Sequence, residues 1–336
     1  MREAPSPSDQ VQQLVWSALS SQVVIVLARL GVADALADGS RDVGDVATAV
    51  GADPEALLRL LRAAATLGVL AEAGGDRYSL TELGESLRSD APDSSRDRVL
   101  AFGTPMRWRL LADLEQAVRT GRTTSTDVMG GSIWDHYTEH PQEGEEFSRA
   151  MGEVASYTSG VVAAAVDPSE RGTVLDLGGA HGDLLTGLLV RAPHATGVLF
   201  DLPPVIDRAR RRVDASPVAA RLQLVGGDFF EKVPSADIYV LMRILHDWDD
   251  ADAQRILASC RRDAPPTARM LVVETLVPDP WAPSPAHLFD LAMLVLQGGR
   301  ERTESEFREL LAGGGWQLSS VSATSTAYTL LEATAG

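Results

Sequence analysis

Apolar side chains recur at helical spacing from Asp9 to Leu36, where Val11, Leu14, Val15, Ala18, Leu19, Val23, Val26, Leu27 and Leu30 form a face too apolar for a solvated surface helix. Something must cover it, and a second copy of the chain is the natural candidate. From 41 to 90 the pattern reads helix, helix, hairpin: RDVGDVATAVG, then DPEALLRLLRAAATLGVL capped by Asp53, then AEAGGDRYSL closed on a Gly-Gly turn. That order is winged-helix-like. The run from 95 to 165 is helical and gathers large side chains, including Phe102, Met106, Trp108, Trp134, His136, Tyr137, Phe147, Met151 and Tyr157. Most suit a core, while Trp134, Met151 and Tyr157 could equally line a cleft.

After Asp167 the period changes. Strand-like runs at 173–177, 195–202, 221–228, 236–242 and 268–276 alternate with helix-like stretches such as LLTGLLV, PVIDRARRRV and DAQRILASCRR. Continuous apolar strands separated by helices predict an α/β fold with a parallel sheet covered on both faces. Two last runs, WQLSSVSAT and YTLLEAT, have no helix between them and should pair antiparallel at one edge. PDPWAPSPAH (278–287) reads as an exposed connector. The expected organisation is an N-terminal interaction region at 1–100, a helical segment at 101–165 and a ligand-binding domain at 166–336.

Composition narrows the partners. A formal net charge of -17, with Lys232 the only lysine, argues against nucleic acid and anionic membrane surfaces as partners. The winged-helix pattern therefore reads as an interaction module, because its second helix offers only Arg59 and Arg62 among leucines. Cys260 is the only cysteine, which excludes an intrachain disulfide and a thiolate-rich metal site. The opening MREAPSPSDQ lacks an apolar signal core, and Arg29 interrupts VVIVLARLGV, so neither export nor a membrane span is expected and a cytoplasmic protein follows.

The chemistry starts at VLDLGGAHGDLLTG (174–187), a strand, a glycine cluster and a helix. No Gly-Lys-Ser/Thr follows, so it is not a phosphate loop. A dinucleotide fingerprint begun at Gly178 fails at Ala180 and Asp183. What fits is acid-x-Gly-x-small-x-Gly, in which the bare backbone approaches an amino-acid-like group and Asp176 faces a cation, as the tail and sulfonium of S-adenosylmethionine require. Two further acids close successive strands. Asp201, in FDLPP, suits ribose hydroxyls; Asp228, in GGDFF, suits an adenine amino group, with Phe229 as a stacking surface. Each acid alone could cap a loop, but three at successive strand ends point to one ligand.

The fourth strand runs into RILHDWDD. His246 there lies in the crevice region beyond a parallel strand's end, where a neutral imidazole, with a pKa of roughly 6.5, can take a proton from a hydroxyl. Asp249 and Asp250 could instead simply start the next helix. A carboxylate on the other ring nitrogen would improve such a base. Glu274 and Glu301 are both candidates, with Glu274 favoured because a charge ending so apolar a strand needs a reason.

LDLGGAHG, FDLPPVI, GGDFFEKVP, MRILHDWDD and GGRERTESEF together resemble, in order and spacing, the S-adenosylmethionine-dependent O-methyltransferases of the caffeate and acetylserotonin type, including bacterial members that decorate aromatic natural products. The resemblance covers nearly the whole chain, and Ala180 departs from the glycine usual there. It implies a class I methyltransferase Rossmann-like sheet with a helical, winged-helix-like dimerisation domain. It also implies a homodimer of secondary or antibiotic metabolism that converts S-adenosyl-L-methionine to S-adenosyl-L-homocysteine without a metal.

By motif, the resemblance places Asp176, Gly178, Gly179, Asp201, Leu202, Asp228, Phe229 and Arg243 at the cofactor. His246 becomes the general base flanked by Glu274 and Glu301. Trp134, Met151, Asp247, Trp248 and Met293 are the expected acceptor-pocket residues. Two alternatives stay open: a non-methylating relative that uses S-adenosylmethionine for hydroxylation or decarboxylation, and a winged-helix DNA-binding regulator.

Overall fold

A computed structural model describes residues 6–164 and 171–336, apart from the side chains of Ser156, Tyr157 and Val161; Tyr157, for which a core and a cleft position were both open, therefore lies outside the described side chains. The chain divides into two compact units, Met1–Pro105 and Met106–Gly336.

In the first unit, helix α1 (Pro7–Leu30) begins at a reciprocal cap between Ser6 and Asp9 and ends at Gly31 in the left-handed region. Its C-terminal half supplies Val23 and Leu27 to a core shared with helices α2 (Val43–Val50) and α3 (Pro54–Thr66). Asp53 does cap α3, its carboxylate accepting from the amide of Ala56. Strands β1 (Arg41–Asp42), β2 (Leu70–Glu72) and β3 (Arg77–Leu80) form a sheet in the order β1-β3-β2, the winged-helix arrangement that the pattern predicts. Every residue in the N-terminal half of α1 is exposed among the described residues. Leu14, Val15 and Trp16 are 73%, 71% and 64% exposed.

In the second unit three short helices (Pro105–Ala112, Leu114–Thr120 and Ser125–Met129) lead into helices α4 (Ile133–Glu139) and α5 (Pro141–Ala164), followed by a seven-stranded sheet. Strands β4 (Thr173–Leu177), β5 (Thr196–Asp201), β6 (Leu222–Gly226), β7 (Ile238–Met242) and β8 (Arg269–Glu274) are parallel. The last two, β9 (Trp316–Ala323) and β10 (Thr329–Ala335), pair antiparallel as expected, and the order is β6-β5-β4-β7-β8-β10-β9. β10 thus lies between β8 and β9, which leaves the polar, alternating β9 at the edge where one face can meet water.

Helices α6 (Asp183–Arg191) and α7 (Pro203–Asp214) cover one face, and α8 (Asp250–Arg262) and α10 (Glu304–Gly313) cover the other. Alternate strand residues feed the two cores: Val174 joins one, while Leu175 and Leu177 join the other. Each fully buried Leu or Val contributes about 1.5–3 kcal/mol, so the central strands are the most fixed part of the unit. Helix α9 (Ala286–Leu296) precedes the 297–303 segment, with Met293 and Leu296 in a separate cluster containing Ile133 and Tyr137. β4 has β5 on one side and β7 on the other, so the crevice of this doubly wound sheet opens at the carboxyl end of β4.

Candidate active site

Two groups of residues meet at that crevice. In the first, Gly178 leaves β4 at φ +69° while its amide bonds the carbonyl of Phe200 at 2.7 Å. A β-carbon on Gly178 would lie 2.5 Å from Ile244, and one on Gly179 would lie 2.4 Å from Asp176 Oδ2, so both positions require glycine. Ala180 follows in the left-handed region at φ +49°, and its amide donates to Asp201 Oδ2 at 2.9 Å. The hydrogen bond holds an alanine where glycine would be unstrained.

Asp201 Oδ1 accepts from Leu202, which begins α7. Asp176 is buried, and its Oδ2 has no hydrogen-bond partner among the described residues. Burial, with the negative charge of Asp201 added, pushes the Asp176 carboxyl up to about 7. Burial likewise pushes Asp201 up to about 6, despite the amides of Leu202 and Ala180. Two adjoining carboxylates, Asp176 buried and Asp201 half-buried, beside a side-chain-free loop fit a ligand that brings a cation and a small backbone-like tail. His181, inside the loop, lies 3.4 Å from Glu145 of α5, a pairing that no local pattern marks because the two residues are far apart in the chain.

The second group surrounds a short 3₁₀ turn, Leu245–Asp247, after β7. Glu274, at the end of β8, turns one oxygen to the turn's backbone, accepting from the amides of Ile244, Leu245 and His246 at 3.1, 3.0 and 3.4 Å. The imidazole partner is Glu301. Its Oε1 lies 2.8 Å from His246 Nδ1, against 3.8 Å for Glu274 Oε2. The preference for Glu274 as the ring's orienting carboxylate is thus corrected: three amides hold it as an anchor of the turn, and the strand-end charge has that reason.

Asp247 Oδ1 lies 3.3 Å from the other ring nitrogen, Nε2. Burial pulls the imidazole down, but Glu274, Asp247 and Glu301 outweigh it and push His246 up to about 9. Burial also raises Glu274 and Asp247, with His246 opposing it in both. His246, Glu274 and Glu301 offer ligand atoms within 4.8 Å of one another, a spacing compatible with a metal, yet Glu274 Oε1 is taken by amides and Nδ1 directly faces Glu301.

Gly299 is one residue of this group that no local pattern singled out. A β-carbon there would fall 2.1 Å from the His246 carbonyl, and the amide of Arg300 donates to that same oxygen. The Gly-Gly pair in GGRERTE was its only available signal.

The remaining expected residues are spread around these two groups. Arg243 has φ +55° and donates to the sulfur of Met151 at 3.2 Å, which brings an expected cofactor residue onto an expected acceptor residue. Asp228 is exposed and accepts from the amide of Phe230. Phe229 meets Trp248 edge-on at 5.8 Å. Trp134 and Met293 share a cluster with Tyr137 and Phe147. Asp249, as the second reading of HDWDD allowed, caps α8.

Residues 108–317 match the family model of the O-methyltransferase domain, and 12–90 match that of the O-methyltransferase dimerisation domain. The chain belongs to the O-methyltransferase family. It is 37% identical to a phenazine O-methyltransferase of Lysobacter antibioticus over 96% of this chain and 94% of that protein. The crystal structure of LaPhzM superposes with a TM-score of 0.94 at 35% identity, covering 99% of this O-methyltransferase and 100% of that chain. The O-methyltransferase NcsB1 of neocarzinostatin biosynthesis was solved with S-adenosylmethionine and 2-hydroxy-5-methyl naphthoic acid. It gives a TM-score of 0.84 at 32% identity, covering 94% of this chain and 96% of that one. S-adenosylmethionine is the cofactor of this O-methyltransferase, and the buried Asp176 with its neighbour Asp201 at the glycine loop suits its charge.

Proposed function

We propose that this enzyme methylates a phenolic hydroxyl of a small aromatic metabolite, with His246 as general base. The observation that supports this reading is the buried imidazole whose Nδ1 lies 2.8 Å from Glu301 Oε1, which leaves Nε2, 3.3 Å from Asp247 Oδ1, as the nitrogen for the proton transfer. S-adenosylmethionine supplies a methyl group made electrophilic by its sulfonium. Asp176, Gly178, Gly179, Asp201, Leu202, Asp228, Phe229 and Arg243 would hold it. Trp134, Met151, Asp247, Trp248 and Met293 would bound the acceptor.

The protein's part is alignment and deprotonation. Neutral His246 takes the hydroxyl proton on Nε2 as the acceptor oxygen gains the methyl carbon, and Glu301 stabilises the imidazolium that results. No metal is needed, since the acceptor proton passes to an imidazole. Aromatic acceptors in relatives, a phenazine and a naphthoic acid, support the acceptor class.

The enzyme acts as a homodimer in the cytoplasm. The exposed apolar face of α1 lies within the region matched by the dimerisation model, and a second α1 would cover it. α1 is also long and apolar enough to cross a membrane by length and composition, with a mean hydropathy of 1.5 over an 18-residue window. The family match favours the dimer.

The deciding experiment incubates the enzyme with S-adenosylmethionine and a panel of hydroxyphenazines and hydroxynaphthoic acids. Equal amounts of S-adenosylhomocysteine and O-methylated product are expected. Tight cofactor binding without S-adenosylhomocysteine across the panel would favour a non-methylating enzyme instead.

A further inference from the structure

Arg302 is fully buried, and the hydrogen bonds of its guanidinium run to the 245–250 segment and to its own neighbour Arg300. It lies on the turn that carries His246. Nη1 donates to the carbonyl of Leu245 at 2.9 Å, and Nη2 donates to that of Trp248 at 2.8 Å. Nε donates to Asp250 Oδ1 at 2.9 Å, at the start of α8. The guanidinium also stands over the Phe307 ring at 5.9 Å. Its own backbone is fixed, because Arg302 bridges Leu276 and its carbonyl accepts from Val277.

The turn is therefore held from two sides by opposite chemistry. Glu274 takes its amides, and Arg302 takes its carbonyls. Five donors in a rigid plane make arginine the side chain suited to bridging two carbonyls and a carboxylate at once; lysine offers a single point. Arg302 also directly follows Glu301, so one short segment sets both the imidazole's partner and the backbone from which the imidazole hangs.

We propose that Arg302 is a positioning residue for the methyl transfer, fixing the 245–248 turn so that His246 Nδ1 stays on Glu301 and Nε2 stays directed at the acceptor. This rests on the assignment of His246 as base. The expected signature is specific to geometry at the imidazole: turnover falls while cofactor binding does not.

The test compares Arg302→Met, Arg302→Lys and Asp250→Asn in the full-length enzyme. It reads kcat, S-adenosylmethionine affinity by calorimetry, and the downfield proton resonance of the His246–Glu301 hydrogen bond. Arg302→Met is expected to lower kcat on the order of 100-fold, with cofactor affinity retained, the resonance lost, and partial rescue by added methylguanidinium. Arg302→Lys should fall between it and the parent. Asp250 is half exposed, so Asp250→Asn should fold even if Arg302→Met does not, and a loss of about threefold with a shifted resonance is expected.

Combined with His246→Gln, Arg302→Met should add no further loss. Full activity of His246→Gln alone would remove the base assignment. A severe loss in His246→Gln beside unchanged kcat and resonance in folded Arg302→Met would overturn the positioning role alone. Should Arg302→Met not fold, unchanged kcat and resonance in Asp250→Asn would overturn it equally.

Discussion

Oε1 of Glu301 meets Nδ1 of His246 at 2.8 Å, a contact made across 55 residues of chain. It assigns the two nearby glutamates different tasks. Glu301→Gln keeps the shape but removes the charge that stabilises an imidazolium, so kcat is expected to drop on the order of 100-fold while calorimetry finds S-adenosylmethionine affinity unchanged. Glu274→Gln should lower thermal stability as well, because its carboxylate anchors three amides. A Glu301→Gln enzyme with parental kcat would separate that carboxylate from catalysis.

The proton balance gives a pH dependence. Below its folded pKa, His246 is protonated and cannot act as base. With burial opposing and Glu274, Asp247 and Glu301 prevailing, the imidazole titrates at about 9, so kcat/KM should rise with pH and level off above that value. Bound sulfonium repels the imidazolium, so the limb in kcat should lie at lower pH. Profiles of both parameters check this, and a kcat/KM limb at roughly 6.5, the ordinary imidazole value, would contradict it.

At the glycine loop the sign is the same but the observable differs. Asp176, titrating at about 7, and Asp201, at about 6, are substantially neutral in mild acid, and S-adenosylmethionine favours both ionised, Asp176 facing its cation and Asp201 accepting from its ribose hydroxyls. S-adenosylmethionine affinity should strengthen from pH 5 to 8, with proton release on binding near pH 6.5 measurable by calorimetry in buffers of different ionisation enthalpy. Asp201→Asn should flatten the dependence and weaken binding about tenfold or more. A pH-independent affinity would show that these acids do not meet the cofactor.

Ala180 offers a test by repair. Its left-handed backbone at φ +49° costs an alanine about 1 kcal/mol more than a glycine, so Ala180→Gly should raise the melting temperature by about 2–4 °C without lowering kcat. Gly179→Ala should do the reverse, since its methyl would meet Asp176. Differential scanning calorimetry reads both.

Most of this architecture was legible in the sequence because apolar periodicity marks buried strands and helices directly. The parallel strands, the Asp53 cap and the terminal antiparallel pair all follow from local pattern. Where Glu274 and Glu301 point did not, because both choices satisfy the same chain-level rule and only packing distinguishes them. Gly299, Arg302 and the His181–Glu145 pair were hidden for a related reason. Each matters through a contact with backbone or side chain far away in sequence, and no local pattern encodes that partner. The insertion of β10 inside the sheet edge was likewise set by pairing with β8 rather than by its own residues.

The proposed dimer rests on α1. Leu14→Glu together with Val15→Glu places charge on the most exposed apolar positions of the helix, and light scattering should find a monomer where the parent is a dimer. A parent that is monomeric at micromolar concentration would remove the assignment.

Replacement of His246 by alanine, followed by S-adenosylhomocysteine formation with a phenolic acceptor alongside calorimetric titration of S-adenosylmethionine, bears most directly on the base at Nε2. Turnover lower by on the order of 100-fold or more with undiminished cofactor affinity is the expected result. Parental turnover in that variant would contradict it.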